Sequence, residues 1–364
     1  MPIPLEAGRL IVGYVGNRAD ICTLSRVSKG FQVPAERALY NTLDLRDPST
    51  TITICRTLAR QGRLSSLVEA LTIVARGGST DHSGESLPPD YWHSVAAALR
   101  RSHRLRFLNI YIENGLPKSQ AWILQQCTFQ LSAFHCDLDW DADLIQFFNR
   151  QQALRDLYIL DYNDHVPEGP SDTLLQPSGL AQLSTLECTF TEAANVLIPG
   201  RPVVHLKTCL SSSQEDAKRR EVLLLISKIR LSSVPTRSID LGDPALDELS
   251  SFTLLMGILD SRLFNLRYLG TLLLPVGGRQ RLRLYGLLMR MRQLDCLELE
   301  VSHWDPEPTS DAALRSLFGE VHLYCETVTR VVFVYEFERF LVTIVNGTRT
   351  VDEDTNVELL WREV

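Results

Sequence analysis

The sequence predicts an α/β architecture: a solenoid in which a parallel sheet is backed by helices, preceded by a small α-helical head. Three observations predict it. A short apolar pattern recurs along most of the chain, helix-length stretches fill the gaps between its copies, and residues 1–42 carry helical spacing in its place.

The head comes first. Ala7, Leu10, Ile11, Tyr14 and Val15 fall on one stripe of an amphipathic helix over 4–15. Gly8 inside it costs about 1 kcal/mol against alanine. Asp20 opens a second helix whose stripe is Ile21, Leu24, Val27 and Phe31, with a break at Gly30-Phe31. Pro34 suits the first turn of a third helix with Ala38 and Leu39 inward, and Leu43 and Leu45 begin the first strand. This divides the chain into a head, 1–42, and a repeat region, 43–364, most regular from 105 to 335.

The repeating pattern is apolar, two variable, apolar, one variable, apolar. It occurs as Leu105-Leu108-Ile110, Leu131-Phe134-Cys136, Leu154-Leu157-Ile159 and Leu183-Leu186-Cys188, then more weakly as Val203-Leu206-Thr208 and Thr236-Ile239-Leu241. Leu266-Leu269-Thr271, Leu294-Leu297-Leu299 and Val328-Val331-Phe333 follow, and Val68-Leu71-Ile73 is an earlier copy. Start-to-start gaps from 105 are 26, 23, 29, 20, 33, 30, 28 and 34 residues. Most lie within the roughly 20–29 residues of a leucine-rich repeat. The last two apolar positions alternate along a strand and point inward, so each copy buries its edge only by stacking on the next. Helices are expected between strands at 119–127, 141–150, 217–230, 245–262, 279–291 and 310–319, with Ser310 starting the last and Leu314, Leu317 and Phe318 on its apolar face. Loops rich in Gly, Pro, Ser and Asp interrupt at 77–90, 163–179, 211–216 and 303–310. An irregular α/β domain whose leucines merely alternate is the plainer alternative.

Bulk composition narrows the function classes. The chain has 364 residues, 45% of them hydrophobic and 22% charged, which is globular composition. Its net charge of −7 argues against nucleic acid as a partner. No run of about 18 apolar residues suits a membrane helix, and Glu6 and Arg9 spoil the N-terminus as a signal peptide. Eight cysteines without a CxxC pair read as reduced thiols of a cytoplasmic or nuclear protein, which leaves the Asn346-Gly347-Thr348 sequon as a turn.

Catalytic and metal motifs are wanting. Asp137, Asp139, Asp141 and Asp143 alternate in DLDWDAD, but an EF-hand counted from Asp137 would put Ala142 at its glycine and Phe148 at its glutamate. A strand end followed by helix-capping aspartates is the expected reading. His135 and Cys136 are adjacent on a strand and face opposite sides, and no P-loop, G-x-S-x-G or G-x-G-x-x-G occurs. We therefore expect no enzyme and no cofactor.

Ile3-Pro4-Leu5-Glu6, followed by Leu10-Ile11 and Val15, resembles the L-P-x-E opening of an F-box. Leu24-Ser25-Arg26-Val27-Ser28-Lys29-Gly30-Phe31 resembles its second helix. Pro34-Ala35 through Leu43 and the closing Val357-Glu358-Leu359-Leu360-Trp361 are similar to fungal F-box proteins with leucine-rich repeats. The resemblance implies a substrate receptor of an SCF-type cullin–RING ubiquitin ligase, whose head docks on a Skp-type adaptor while the repeats hold the target. By motif match, Pro4, Leu5, Ile11, Leu24, Val27 and Ser28 would lie at or behind the adaptor surface. The alternative is a repeat scaffold whose head only caps the solenoid, since a terminal cap is needed in any repeat array. A helix-turn-helix reading of 25–29 founders on the acidic chain. Outward strand positions supply the expected target surface, with Arg106, Tyr111, Arg155, Tyr158, Lys207, Tyr268 and Glu298 its principal members.

Overall fold

The computed structural model describes residues 4–76, 87–113, 115–160, 175–242, 247–345, 347–352 and 355–364. Ile3 and most of the expected loops at 77–90 and 163–179 lie outside the described residues. The chain divides into two compact units, Met1–Ala181 and Gln182–Val364. Both are mixed α/β, and their sheets are mostly parallel.

The first unit opens with α1 (Leu5–Tyr14), α2 (Arg18–Val27) and α3 (Lys29–Tyr40). They pack around Val12, Ile21, Phe31 and Ala35. Several expectations for these helices need correction. The Leu10, Ile11 and Tyr14 stripe of α1 faces solvent, at 65%, 42% and 88% exposure, while Gly8 and Val12 face inward. The reason is close approach. Gly8 lies on α3, where a Cβ would meet the Gly30 carbonyl oxygen at 3.5 Å and Pro34 Cγ at 3.6 Å. A glycine–valine edge fits there and a leucine–tyrosine edge does not.

α2 begins at Arg18, with the Asn17 side chain accepting the Ala19 N–H, so Asp20 sits in its first turn instead of opening it. The break falls at Ser28, not at Gly30-Phe31. Ser28 Oγ caps α3 by accepting the Phe31 N–H at 3.4 Å, and Pro34 lies inside α3 with its ring buried. Ala35, not Ala38, turns inward, and Leu39 is half-buried.

β1 (Thr42–Leu45), α4 (Pro48–Arg60), α5 (Gly62–Ser65), β2 (Ala70–Ala75), α6 (Tyr91–Arg101), β3 (Phe107–Ile112), β4 (Ala133–Cys136), α7 (Ala142–Arg150) and β5 (Asp156–Ile159) complete the unit. The strands pair in sequence order, all parallel. Register places Leu43, Leu71, Leu108, Phe134 and Leu157 in one inward row, and Leu45, Ile73, Ile110, Cys136 and Ile159 in the next. All ten are buried. Just ahead of the strands a second regularity recurs. The Asn41 carbonyl accepts the N–H groups of Glu69 and Ala70, that of Glu69 those of Arg106 and Phe107, that of Arg106 those of Ser132 and Ala133, and that of Ser132 those of Arg155 and Asp156. α4 and α6, with Cys55, Leu58, Val95 and Leu99 buried, are helices the spacing did not announce. The helix expected over 119–127 shrinks to a 3-10 turn, Ala121–Leu124.

The second unit runs β6 (Thr185–Cys188), α8 (Thr191–Leu197), β7 (His205–Cys209), α9 (Glu215–Ile229), β8 (Ser238–Gly242), α10 (Glu248–Asp260), β9 (Tyr268–Leu273), α11 (Gly278–Leu288), β10 (Cys296–Glu300), α12 (Asp311–Tyr324) and β11 (Arg330–Tyr335). β6 to β11 pair in order and in parallel. Carbonyls of Ser184, Val204, Arg237, Arg267 and Asp295 repeat the paired acceptance seen in the first unit. Ser310 Oγ caps α12 by accepting the Ala313 N–H, and Leu314, Leu317 and Phe318 are buried as expected.

The unit then departs from parallel pairing. β12 (Glu338–Val345) and β13 (Thr348–Asp352) return antiparallel, and residues Val357–Arg362 form a 3-10 turn. Asn346 lies outside the described residues, but Val345 pairs with Thr348 and Gly347 has φ +79°, which is hairpin-turn geometry.

Candidate interaction surfaces

On the head, Pro4 and Leu5 stand at the start of α1, Pro4 exposed. Ile11 and Val27 are exposed, the latter at 65%, whereas Leu24 is half-buried against the head core. Ser28 is exposed and serves as the cap of α3. Leu10, Tyr14 and Val33 belong to the same class of uncovered apolar side chains. A head this small leaves them out because its core is filled by four residues and three half-buried neighbours, Val15, Leu24 and Leu39.

The open face of the first unit's sheet carries Arg106, Tyr111 and Arg155 exposed and Tyr158 half-buried. Between them runs a row whose central residue, His135, the expected surface did not include. Asn109, His135 and Tyr158 are register partners, and His135 meets Phe107 and Tyr158 edge-to-face at 5.4 and 5.8 Å between ring centroids. His135 Nε2 also lies 3.8 Å from an oxygen of Asp156. The signal was present: Cys136 points inward, so its neighbour had to point out.

In DLDWDAD only Asp141 of the two best-placed aspartates is a helix cap, accepting the Leu144 N–H at 2.9 Å. Asp137 is 1% exposed, and both its oxygens accept the Ile112 N–H, at 2.9 and 2.8 Å. Lys118 Nζ stands 3.8 Å away. Burial nevertheless pushes the Asp137 carboxyl up to about 6.

In the second unit the expected target surface is partly overturned. Lys207 is half-buried and pairs with Asp240 at 3.4 Å. Tyr268 and Glu298 are 1% and 2% exposed, so neither is available to a partner in this state. The outward rows of β7–β10 are covered by the 3-10 turn Val357–Arg362, which touches β7, β8 and β9. Trp361 and Leu360, each 1% exposed, pack with Tyr268, Cys296, Val332, Val334 and Leu341. Cys296, Val332 and Val334 are therefore buried on the face that faced outward in the sequence reading.

Two polar contacts fix the turn. The Trp361 carbonyl lies 3.1 Å from His205 Nδ1, which must donate since a carbonyl only accepts. Burial pushes the His205 pKa down, which favours the neutral ring. Arg362 pairs with Glu187 at 2.7 Å and stacks on the Trp361 ring, 4.6 Å from its centroid.

Beside the covered cluster sits a polar network. Glu298 accepts the hydroxyls of Tyr268 and Thr271, both at 2.8 Å, and lies 3.4 Å from Arg339 Nη2. Burial first, and then the Glu298 charge, push the Asp240 carboxyl above its ordinary range. The network is arranged to satisfy buried charge. Lys207 and Arg339 offset Asp240 and Glu298, as burial of carboxylates requires.

Among the described residues no three His, Cys, Asp or Glu side chains cluster closely enough to hold a metal ion. Seven of the eight cysteine thiols are buried or half-buried and none of the eight is in a disulfide; burial pushes Cys55, Cys188 and Cys296 up to about 12, which leaves them poor nucleophiles. No helix among the described residues is long and apolar enough to cross a membrane. No protein-family model matches the chain, and no curated protein is detectably similar to it.

Proposed function

We propose that the chain is a non-catalytic interaction protein: an F-box-like head that docks on a Skp-type adaptor of a cullin–RING ubiquitin ligase, joined to an irregular leucine-rich-repeat solenoid that holds the protein to be ubiquitinated. The observation that carries this reading is the uncovered apolar face of α1. Leu10, Ile11 and Tyr14 follow helical spacing and are spared from the head core. An apolar helix face that its own fold does not use is what a partner helix requires. The inward ladder of leucines and the repeated carbonyl pairing support the solenoid half of the reading. Such a receptor acts by proximity, raising the concentration of a target lysine near the charged conjugating enzyme.

Capture of a purified Skp-type adaptor tests the ligase reading. The intact chain should bind it, and Ile11→Glu with Tyr14→Glu should abolish binding without loss of the folded signal. An intact chain that fails to bind refutes the ligase connection. The competing reading, a cap without an adaptor, rests on α3 running directly into β1, the first strand of the sheet; it expects no capture by any variant.

A further inference from the structure

The turn over β7–β10 has the chemistry of a docked ligand. It adds no strand to the sheet. It presents Leu360 and Trp361 to an apolar hollow, gives one carbonyl to His205, and offers one guanidinium to Glu187. Val357 and Val364 pack half-buried against the same cluster, while Glu358 and Leu359 are exposed, Leu359 at 45%, and the Asn356 side chain caps the turn locally by accepting the Glu358 N–H. Two apolar anchors, one of them tryptophan, with an arginine beside them is the composition in which a few residues supply most of the binding energy of a short helical peptide. The receiving side is only partly self-sufficient. Tyr268 is held by Glu298 and Lys207 by Asp240 without the segment, whereas His205 and Glu187 take their partners from it.

We propose that the outward face of β7–β10 is a peptide-binding site, that residues 356–364 are its internal ligand, and that a partner segment offering a leucine–tryptophan–arginine helical turn competes for it. This site is independent of whether the head binds an adaptor. Linked in one chain, the segment holds the site at an effective concentration of order millimolar, so only a partner that binds more tightly or is locally concentrated displaces it. Loss of the turn re-exposes Tyr268, Cys296 and Val332, the side chains it covers.

The experiment uses the full chain with a protease site placed at 353–354, cut after folding, and a fluorescein-labelled synthetic peptide of residues 356–364 followed by anisotropy. The cut protein should exchange its segment for the labelled peptide saturably. The same peptide carrying Trp361→Ala should bind at least tenfold more weakly, and the uncut chain should bind the labelled peptide at least tenfold more weakly than the cut one. Equal binding to cut and uncut chains overturns the proposal, because the peptide then binds elsewhere. A cut protein that stays folded yet never exchanges overturns it too. Should cutting unfold the protein, the uncut Trp361→Ala chain is the second subject: it should remain folded and bind the labelled peptide more tightly than the wild type does. Unfolding of both, or no binding by the folded variant, shows the segment to be fixed core and overturns the site.

Discussion

Replacing Asp137 by asparagine separates the two things its carboxylate does. It accepts the Ile112 N–H with both oxygens, a bond the asparagine carbonyl preserves, and it holds a buried negative charge, which the amide removes. Burial raises the folded pKa from 3.8 to about 6. Between those values the native chain keeps a proton that the unfolded chain has released, so wild-type stability rises as pH falls through this window and is lower above pH 6. The gap corresponds to about 3 kcal/mol at most. Urea denaturation of wild type and Asp137→Asn, followed by circular dichroism from pH 7.5 to pH 4, isolates the contribution as a difference of two curves. The variant should match or exceed the wild type at pH 7.5 and lose that advantage by about 2–3 kcal/mol toward pH 4. Parallel curves would refute the reasoning, since the charge would then be as well solvated in the fold as outside it. Asp137→Ala, which orphans the Ile112 N–H, should cost about 1–3 kcal/mol at every pH.

Gly8→Ala should stabilise the head by up to about 1 kcal/mol, since the added Cβ meets its neighbours at ordinary contact distance while the helix gains propensity. A calorimetric melt checks this, and a lowered Tm would show that α1 does not lie on α3 as described. Glu298→Gln keeps an acceptor for Tyr268 and Thr271 but removes the charge that raises Asp240. The Asp240 carboxyl, followed by carbon NMR across pH, should then titrate lower; an unchanged titration would mean burial alone sets it.

Much of the first unit was legible because most of its strands have one face in the core and one toward water. Leu108 and Ile110 inward with Tyr111 outward is a period-2 pattern that needs no partner to be read. The same logic failed at Tyr268 and Glu298. β8 to β11 are buried on both faces, and the element that covers them comes from residues 357–362, far along the chain. Alternation places a side chain on a face; it does not say what lies over that face. The RVVFVY run of β11 was a local trace of two-sided burial, since a strand covered on both sides is apolar throughout.

The head shows the same division. Its helices were readable, but the choice of buried edge on α1 turned on Gly8 approaching the Gly30 carbonyl on α3, and sequence spacing ranks hydrophobicity without measuring how near two backbones come. The sequence by itself determined the ladders of β1 to β5 and β6 to β11 and their parallel order, and helix caps such as Ser310 and Asp141, because these depend on neighbours within a turn or on a repeated period. Only the tertiary structure decided which edge of α1 is spare and that Trp361 sits on Tyr268 and Cys296. Both outcomes depend on contacts between segments remote in the chain, where packing distance and complementary shape, and not local pattern, set the energy.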